Sequence, residues 1–411
     1  MVTEVTVERL VYGGEGLARV DGRVVLVPFV LPGERVKVEI YEQARDYHRA
    51  RLLEVLDPSP HRVQPPCEHF QKCGGCHYQH AAYTYQLELK RSILIETCRR
   101  IGKFAPPDSV RIVSGPDLDY RNRTQFHIDR RKVGFHRVSS HRLCPVRRCP
   151  ISSPMVNQAL AVLWRMIPHP RFPDFIRVIE FFTNENQVQV NVLETRADRR
   201  VARGFFEWCA REIPGALEPA IEYPAAGHLF RVSHRSFFQV NRFLIDQLVD
   251  VALEGAAGQW AVDLYAGVGL FSLPMATRFA RVVAVETSAS AIADLRFNAE
   301  RAGLAVEAVR STADLYLSNL GSTPDFVLAD PPRAGLGRAV VRELKRLHPR
   351  RLVLVSCNPA TLARDLGALL SAGYEVASVS LVDLFPHTYH IESVWQLEWR
   401  GDTVATMEHT G

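Results

Sequence analysis

The sequence places three cysteines in one short segment that is typical of a metal site. Of the eight cysteines in the 411-residue chain, Cys67, Cys73 and Cys76 are separated by five and two residues, with two glycines between the last pair. Cys144 and Cys149 follow much later. Three clustered thiolates with one distant thiolate fit either zinc or a cubane iron–sulfur cluster. A zinc knuckle completed by a nearby histidine is the alternative that the spacing leaves open.

Another cysteine has the setting of a nucleophile. Cys357 ends the apolar run RLVLVSC, which predicts a buried strand, and the Asn358-Pro359 pair after it is typical of a helix start. A cysteine at the carboxyl end of a strand, beside a helix N-terminus, can have its pKa lowered below the usual ~8.5 and become a thiolate. A lone cysteine more often fills a core, but the neighbouring motifs favour a nucleophile that attacks carbon.

Methylation of uracil at C5 is a reaction that needs such a thiolate. C5 of uracil is a poor nucleophile, whereas thiolate addition at C6 creates an enolate whose C5 can attack a sulfonium methyl group. A base must then remove the C5 proton so that the thiolate can leave. Glu392 lies in the segment PHTYHIE, 35 residues after Cys357, and is the predicted base.

A glycine turn indicates the methyl donor. The motif Asp-x-x-x-Gly-x-Gly begins at Asp263 in an apolar strand, and glycines there let the backbone approach a ligand at a helix N-terminus. Glu286 ends the next predicted strand, 23 residues after Asp263, where an acid binds ribose hydroxyls. Dinucleotide sites use three spaced glycines and hold a pyrophosphate, so this shorter motif favours S-adenosylmethionine. A purely structural turn is the alternative.

A further strand ends in Asp330-Pro331-Pro332-Arg333. Amino-group methylases carry a similar acid-Pro-Pro motif, followed by an aromatic residue that stacks on the target base. Arg333 occupies that position here, which argues against methylation of an exocyclic amine.

Positive charge is concentrated in the middle of the chain. Residues 61–230 carry 25 Lys and Arg against 16 Asp and Glu, whereas the whole chain has a net charge of only +5. Within this block, the segment from Tyr120 to Arg148 contains nine cations, one acid and three interleaved aromatic residues. Cations bind phosphates and aromatic rings stack on unpaired bases, so the mixture predicts a surface for single-stranded nucleic acid. A solvated strand pair is the alternative.

Three blocks of different pattern predict three domains. Residues 1–57 contain short alternating strands divided by glycine turns, which predicts a small β-barrel of the OB type, and four prolines in the link after it end the domain. Residues 58–230 combine the cysteines, a predicted helix over 83–102 and strand-like runs, consistent with an α+β domain. Residues 231–411 alternate strands and helices, which predicts a doubly wound, mostly parallel α/β sheet.

Targeting signals are absent from the sequence pattern. No apolar stretch approaches the ~20 residues of a membrane helix, and the first residues lack the basic and apolar regions of a signal peptide. We therefore expect a cytoplasmic protein whose cysteines are reduced and serve in metal binding, catalysis or core packing. We also expect a monomer.

Together these motifs resemble those of the RNA 5-methyluridine methyltransferases, in particular the iron–sulfur-containing branch that methylates 23S rRNA. The resemblance covers almost the whole chain and includes FQVN, DLYAGVG, VVAVE, DPPRAGL, SCNP and PHTYHIE, in that order. It implies that the N-terminal barrel is a TRAM domain, that the central α+β domain carries the cluster, and that the C-terminal domain is a Rossmann-like methyltransferase. It also implies that the helix over 83–102 packs on the catalytic domain.

The resemblance assigns roles to individual residues. It implies that Cys357 is the nucleophile and Glu392 the proton acceptor. It also implies a 4Fe-4S cluster whose fourth ligand starts a Cys-Pro-Ile segment after a Gly-Phe-basic turn, and Cys149 fits this pattern better than Cys144. The residues implied to contact S-adenosylmethionine are Gln239, Tyr265, Glu286 and Asp330, and those implied to hold the cluster are Cys67, Cys73, Cys76 and Cys149.

The predicted function is S-adenosylmethionine-dependent methylation of uridine C5 in RNA, with 23S rRNA as the expected substrate, through a Cys–C6 adduct. A methyltransferase acting on uridine 54 of tRNA and an RNA-binding module without activity are the alternatives. A cytosine-5 methylase would carry a second catalytic cysteine, and the DPPR turn has none. A radical enzyme requires Cys-x3-Cys-x2-Cys, which the five-residue gap disfavours.

Overall fold

A computed structural model describes residues 1–107, 109–216 and 220–401, and its N-terminal domain is a six-stranded sheet. The sheet order is β1-β5-β6-β4-β3-β2, with β4 and β6 parallel and the other pairs antiparallel. Alternation along β5 places Val36, Val38 and Ile40 in a valine-rich core, as a period of two requires. The strands are β1 (Val2–Thr6), β2 (Arg9–Leu10), β3 (Glu15–Val20), β4 (Arg23–Pro28), β5 (Arg35–Gln43) and β6 (Tyr47–Asp57).

A segment with little regular structure, over 58–82, carries the three clustered cysteines and leads into α1 (Tyr83–Thr97). The next turn, Cys98–Gly102, is a π-helix, so the helical span matches the predicted 83–102 with a wider final turn. The short strand β7 (Arg111–Val113) follows.

The central domain is an antiparallel sheet of order β10-β9-β8-β11-β12 with two helices whose buried residues share one apolar core with it. This arrangement is the predicted α+β fold. A hairpin, β13–β14, comes next in the chain. The elements are β8 (Arg123–Asp129), β9 (Lys132–His136), β10 (Leu143–Pro145), α2 (Pro154–Met166), β11 (Ile176–Thr183), β12 (Val188–Thr195), α3 (Arg203–Glu212), β13 (Ala220–Ala225) and β14 (His228–Ser233).

The C-terminal domain is built on an eight-stranded sheet of order β17-β16-β15-β18-β19-β21-β20-β7. All its pairs are parallel except those of β21, which is antiparallel to β19 and to β20. The prediction of a mostly parallel sheet is confirmed. The strands are β15 (Gly258–Leu264), β16 (Phe279–Glu286), β17 (Val306–Arg310), β18 (Phe326–Ala329), β19 (Arg351–Ser356), β20 (Tyr374–Val382) and β21 (Glu392–Trp399).

Helices connect these strands. The first begins at Ile245, after a turn in which the Asn241 side chain donates to the Leu384 carbonyl (3.2 Å) and accepts from the Phe243 N–H (3.1 Å). Within the described ranges, no helix is long and apolar enough to cross a membrane. The helices are α4 (Ile245–Ala252), α5 (Ser272–Met275), α6 (Ala289–Arg301), α7 (Ala313–Ser318), α8 (Gly337–Leu347) and α9 (Pro359–Leu370).

The β13–β14 hairpin is attached to α6 by side-chain hydrogen bonds. The Ser233 N–H and hydroxyl both donate to the Asp294 carboxylate, and the Asn298 amide bonds to the N–H and carbonyl of Arg231. The hairpin therefore spans the predicted domain boundary at residues 230 and 231.

Helix α1 lies against the C-terminal domain through a buried ion pair. Lys90 Nζ lies 2.6 Å from the Asp383 carboxylate and 2.8 Å from the Phe385 carbonyl oxygen, and neither side chain of the ion pair is more than 1% exposed. The Tyr83 hydroxyl donates to the same carboxylate (3.0 Å). Burial lowers the pKa of Lys90, while Asp383 opposes that effect. This pair fixes the segment that leads from β20 towards Glu392.

Replacement of Lys90 by methionine should leave the Asp383 carboxylate buried without its cation. We expect Lys90→Met to lower the free energy of unfolding by about 3–5 kcal/mol, because an uncompensated buried charge is costly. The exposed pair Arg111–Glu254 (58% and 64% exposed) provides the control, and Arg111→Ala should cost less than about 1 kcal/mol. Urea denaturation followed by circular dichroism measures both. Equal costs for the two variants would contradict the assignment.

Candidate active site and cysteine-lined cavity

The carboxyl ends of four neighbouring parallel strands bring the predicted chemistry to one edge of the sheet. Tyr265 follows β15, Glu286 ends β16, Asp330 follows β18 and Cys357 follows β19. Leu264 pairs with Val285 and with Ala329, and Ala329 pairs with Leu354, so the strands end within two residues of one another. This is the edge at which open α/β sheets bind ligands.

Glu392 reaches the same edge through the antiparallel strand β21. Ser356, the last residue of β19, is paired with Ser393. Cys357 follows Ser356 and Glu392 precedes Ser393, so the antiparallel register puts Cys357 beside Glu392. The pairing explains how residues 35 positions apart can serve one reaction.

The carboxyl groups of Asp330 and Glu392 interact electrostatically with each other and with Cys357. Burial raises the pKa of Asp330 to about 7. Burial, and then the Asp330 carboxylate, raises the pKa of Glu392 well above its usual range. Gln239 Nε2 donates to Asp330 at 3.4 Å, so the FQVN segment contacts the pair. Carboxyl groups that repel each other in this way bind protons as a pair rather than singly.

The Cys357 thiol does not have the lowered pKa that its position suggested. Burial, then Glu392 and Asp330, raises the pKa of Cys357 to about 12, and Arg333 opposes this only partly. The expectation from the helix N-terminus is therefore wrong. The partial charge of a helix end is smaller than the combined effect of desolvation and two carboxylates. Asn358 still caps α9, accepting from two backbone N–H groups.

The glycine turn after β15 is held by Glu286. One carboxylate oxygen accepts from the Gly267 N–H (3.1 Å) and the other from the N–H groups of Thr287 (2.7 Å) and Ser288 (2.8 Å). Gly267 has φ +54° and Gly269 has φ +95°, a region that residues with a side chain rarely adopt. Glu286, which is predicted to bind ribose, therefore also holds the glycine turn that is predicted to bind the methyl donor.

Two further acids line this part of the edge. Asp263 is fully buried, accepts from the Ser272 hydroxyl and has one oxygen without a partner among the described residues. Burial, and then Asp330 and Glu286, raises its pKa to about 7. Burial and then the Asp314 carboxylate raise the pKa of Tyr265 to about 12, which puts Asp314 near the phenol.

An unexpected residue comes from the N-terminal domain. The Tyr12 hydroxyl donates to the Cys357 carbonyl oxygen at 3.4 Å, and its ring packs edge-on against Tyr389 at 5.5 Å. The sequence held no signal for this contact, because the two residues are 345 positions apart and meet only through domain packing. The contact between Arg333 and His390 (3.3 Å) had no sequence signal either, because the two residues of the C-terminal domain are 57 positions apart.

The clustered cysteines line a cavity of about 450 Å³ in the central domain. Cys67, Cys73, Cys76 and Cys149 all face it, whereas Cys144 is not among its lining residues. Asn157 fixes the loop of Cys149, bonding to both its N–H (2.8 Å) and its carbonyl oxygen (3.0 Å).

The thiols around this cavity influence one another. Burial, and then Cys149, Cys144 and Cys67, raises the pKa of Cys73 to about 12. Burial followed by Cys149 also raises the pKa of Cys76. Across the described part of the chain, however, no three His, Cys, Asp or Glu side chains are arranged to hold a metal ion. The four cysteines thus surround a space and do not converge on a single point.

Two known families match the sequence. The family described as tRNA (Uracil-5-)-methyltransferase matches residues 223–400, and the TRAM domain matches residues 2–53. The second match confirms the TRAM assignment of the N-terminal sheet.

Relatives match this chain over nearly their whole length. The 23S rRNA (uracil(1939)-C(5))-methyltransferase RlmD of Alkalilimnicola ehrlichii is 34% identical, with 95% of each chain covered. An uncharacterized RNA methyltransferase of Aquifex aeolicus is 33% identical over 96% of this chain and 98% of its own length.

A solved structure agrees with these matches. The Pyrococcus abyssi tRNA (uracil-54, C5)-methyltransferase, solved in complex with S-adenosyl-L-homocysteine, superposes with a TM-score of 0.75 at 27% identity, covering 96% of this chain and all of that one. The chain therefore belongs to the RNA uracil-5-methyltransferase family, S-adenosylmethionine-dependent enzymes that methylate C5 of uridine in RNA.

Proposed function

We propose that this protein methylates a uridine of 23S rRNA through a covalent bond between Cys357 and uracil C6. The observation that carries this proposal is the β19–β21 register, which sets a thiol beside a carboxyl group at the ligand-binding edge of the sheet. The relatives named for 23S rRNA are 34% identical over nearly the full chain. The structure named for tRNA uridine 54 is 27% identical, which makes tRNA the second candidate substrate.

Four residues are proposed to bind S-adenosylmethionine. Glu286 would accept from the ribose hydroxyls, because it ends β16 beside the glycine turn. Tyr265 offers an aromatic face at the end of β15, and Gln239 and Asp330 contact each other next to Cys357. In this arrangement the sulfonium would lie near the buried carboxyl pair.

The positive charge of the donor would favour ionisation of the Cys357 thiol, whose raised pKa otherwise keeps it protonated. Near neutral pH the Asp330–Glu392 pair would share a proton, because burial raises the pKa of both groups and the Asp330 carboxylate raises that of Glu392 further. A cation bound beside the pair favours carboxylates and thiolate over their protonated forms. Binding of S-adenosylmethionine would therefore release the shared proton to solvent and prepare Cys357 for ionisation.

The reaction then proceeds in three proposed steps. Cys357 gives its proton to Asp330 while its sulfur bonds to C6, and the C5–C6 π electrons move into the C4 carbonyl to form an enolate. C5 attacks the sulfonium methyl group, the bond between methyl and sulfur breaks, and neutral S-adenosylhomocysteine is left. Glu392 takes the C5 proton, the C5–C6 double bond re-forms, and the thiolate leaves and recovers its proton from Asp330. After the product forms, Glu392 holds the proton taken from C5, and the Asp330–Glu392 pair is again in the state that preceded donor binding.

The RNA would contact the other two domains while the target base is turned out of the helix into the site. The basic segment from Tyr120 to Arg148 would bind phosphates, and Phe237, 61% exposed and two residues before Gln239, offers a face for base stacking. The TRAM domain would add a second RNA contact. We propose that the enzyme acts as a cytoplasmic monomer.

The cysteine-lined cavity fits a cluster better than a single ion. In the described residues, no group of three His, Cys, Asp or Glu side chains is arranged to hold a single metal ion such as zinc. Four thiols around about 450 Å³ of space suit the larger 4Fe-4S cluster. Cys67, Cys73, Cys76 and Cys149 would hold it, and when bound it would tie the 67–76 loop to the central sheet.

Removal of the nucleophile should abolish methylation. We expect Cys357→Ala to reduce methyl transfer to a 23S rRNA transcript by at least about a thousandfold, because no other route makes C5 nucleophilic. Cys209→Ala, which removes a buried cysteine from α3, is the control and should retain activity. Incorporation of radioactive methyl groups measures both variants. A Cys357→Ala enzyme with normal turnover would refute the covalent route.

The charge of the donor should control the reactivity of Cys357. In the free enzyme its raised pKa predicts slow alkylation by iodoacetamide at neutral pH, with a rate that increases as the pH rises. Sinefungin, an analogue with an amine in place of the sulfonium methyl group, should accelerate alkylation relative to neutral S-adenosylhomocysteine, which has a similar shape. Mass spectrometry of the modified peptide measures the rates. Equal rates with the two ligands would rule out the electrostatic explanation.

The cysteine assignment can be tested by metal content. Protein purified without oxygen should be brown and contain iron and acid-labile sulfide in equal amounts, about four of each per chain. Cys149→Ser should lower both, whereas Cys144→Ser should retain them. Protein that contains one zinc and no sulfide would contradict the proposed cluster. Protein that loses iron only with Cys144→Ser would contradict the proposed ligands.

A further inference from the structure

A tyrosine of the N-terminal domain lies within the catalytic centre. Tyr12 stands between β2 and β3, and its side chain contacts the backbone of the nucleophile on one side. On the other side it packs against Tyr389, which is three residues before Glu392. It therefore touches both segments that must hold the thiol and the base in place.

The loop around Tyr12 is fitted closely to its surroundings. Gly14 has φ +92°, and a side chain there would meet the His77 ring at 3.1 Å. The His77 ring in turn packs edge-on against Tyr389 at 4.6 Å. The N–H groups of His77 and Tyr78 donate to the His387 carbonyl oxygen at 2.8 and 2.9 Å. One continuous contact therefore joins the Tyr12 loop, the 76–78 segment and the segment that leads to Glu392.

The N-terminal domain is fixed in this position by buried contacts. Leu10 and Leu31 belong to the same apolar core as Leu354 of β19 and Trp395 of β21. Glu34, with no exposed side-chain surface, accepts from Arg62 through both carboxylate oxygens (2.6 and 2.7 Å). The apolar contacts pack the domain against the catalytic sheet, and the ion pair joins it to the 58–82 segment.

The Tyr12 hydroxyl donates to the Cys357 carbonyl oxygen and keeps its proton. Burial, and then Tyr389 and Cys357, raises its pKa to about 12, so the phenol keeps its proton throughout the physiological range. A protonated phenol stabilises a carbonyl oxygen by donating to it and cannot remove a proton from substrate. The contacts that the structure gives it are to the segments of Cys357 and Glu392.

We propose that Tyr12 is a positioning residue for methyl transfer: it holds the Cys357 backbone against the segment that carries Glu392. The N-terminal domain would then contribute to the chemical step, in addition to binding RNA. This inference rests on the proposed roles of Cys357 and Glu392. If the domain served RNA binding alone, loss of Tyr12 would change RNA affinity and leave the rate at saturation intact.

Single-turnover kinetics of Tyr12→Phe and Tyr12→Ala at saturating 23S rRNA transcript and S-adenosylmethionine test this inference. Tyr12→Ala should slow methyl transfer roughly 10- to 100-fold, because small displacements of reacting groups are costly. Tyr12→Phe keeps the ring and should lose only about fivefold, the value of one hydrogen bond. The dissociation constants for both substrates should stay within about twofold. Tyr374→Phe, which removes another hydroxyl that donates to a carbonyl (3.0 Å), should have the wild-type rate.

A second measurement does not depend on RNA. Tyr12→Ala should change the rate of Cys357 alkylation several-fold, while Tyr374→Phe should not. A Tyr12→Ala enzyme with a normal saturating rate, or with a loss explained wholly by weaker RNA binding, would overturn the proposal. Wild-type enzyme that methylates no 23S or tRNA transcript would overturn the proposed function instead, and the alkylation rates would still decide the role of Tyr12.

Discussion

The antiparallel pairing of β21 with β19 is the constraint on which the active site depends. A parallel sheet alone delivers Glu286, Asp330 and Cys357 to one edge, but a base from the following segment would enter the sheet at the opposite end. Because β21 runs the other way, its first residue, Glu392, lies where β19 ends. A shift of one residue would turn Glu392 to the other face and separate it from the thiol.

Burial gives this edge its chemical character. Desolvation raises the pKa of Asp330 to about 7 and the pKa of Cys357 to about 12, which favours the protonated thiol over the thiolate. A thiol that becomes reactive only when a cationic donor is bound is protected from alkylation and oxidation in the free enzyme. The same carboxyl pair that suppresses the thiolate can accept the protons that the reaction releases.

Patterns within single elements could be predicted from the sequence, and contacts between distant elements could not. The apolar runs before Tyr265, Glu286, Asp330 and Cys357 showed where strands end, and the sheet brings those ends together. The sequence-derived expectation for the thiol failed because its pKa depends on burial and on carboxylates from other strands. Tyr12 had no sequence signal because docking of the N-terminal domain, and no local motif, brings it to Cys357.

Trapping of the intermediate tests the central claim most directly. The Glu392→Gln enzyme, incubated with 23S rRNA transcript and S-adenosylmethionine, should accumulate RNA joined to protein, because the C5 proton is retained and the thiolate cannot leave. Peptide mass spectrometry should then find a C5-methylated uridine attached to Cys357. Normal turnover without an adduct, or an adduct on another residue, would contradict the pairing of Cys357 and Glu392 as nucleophile and base.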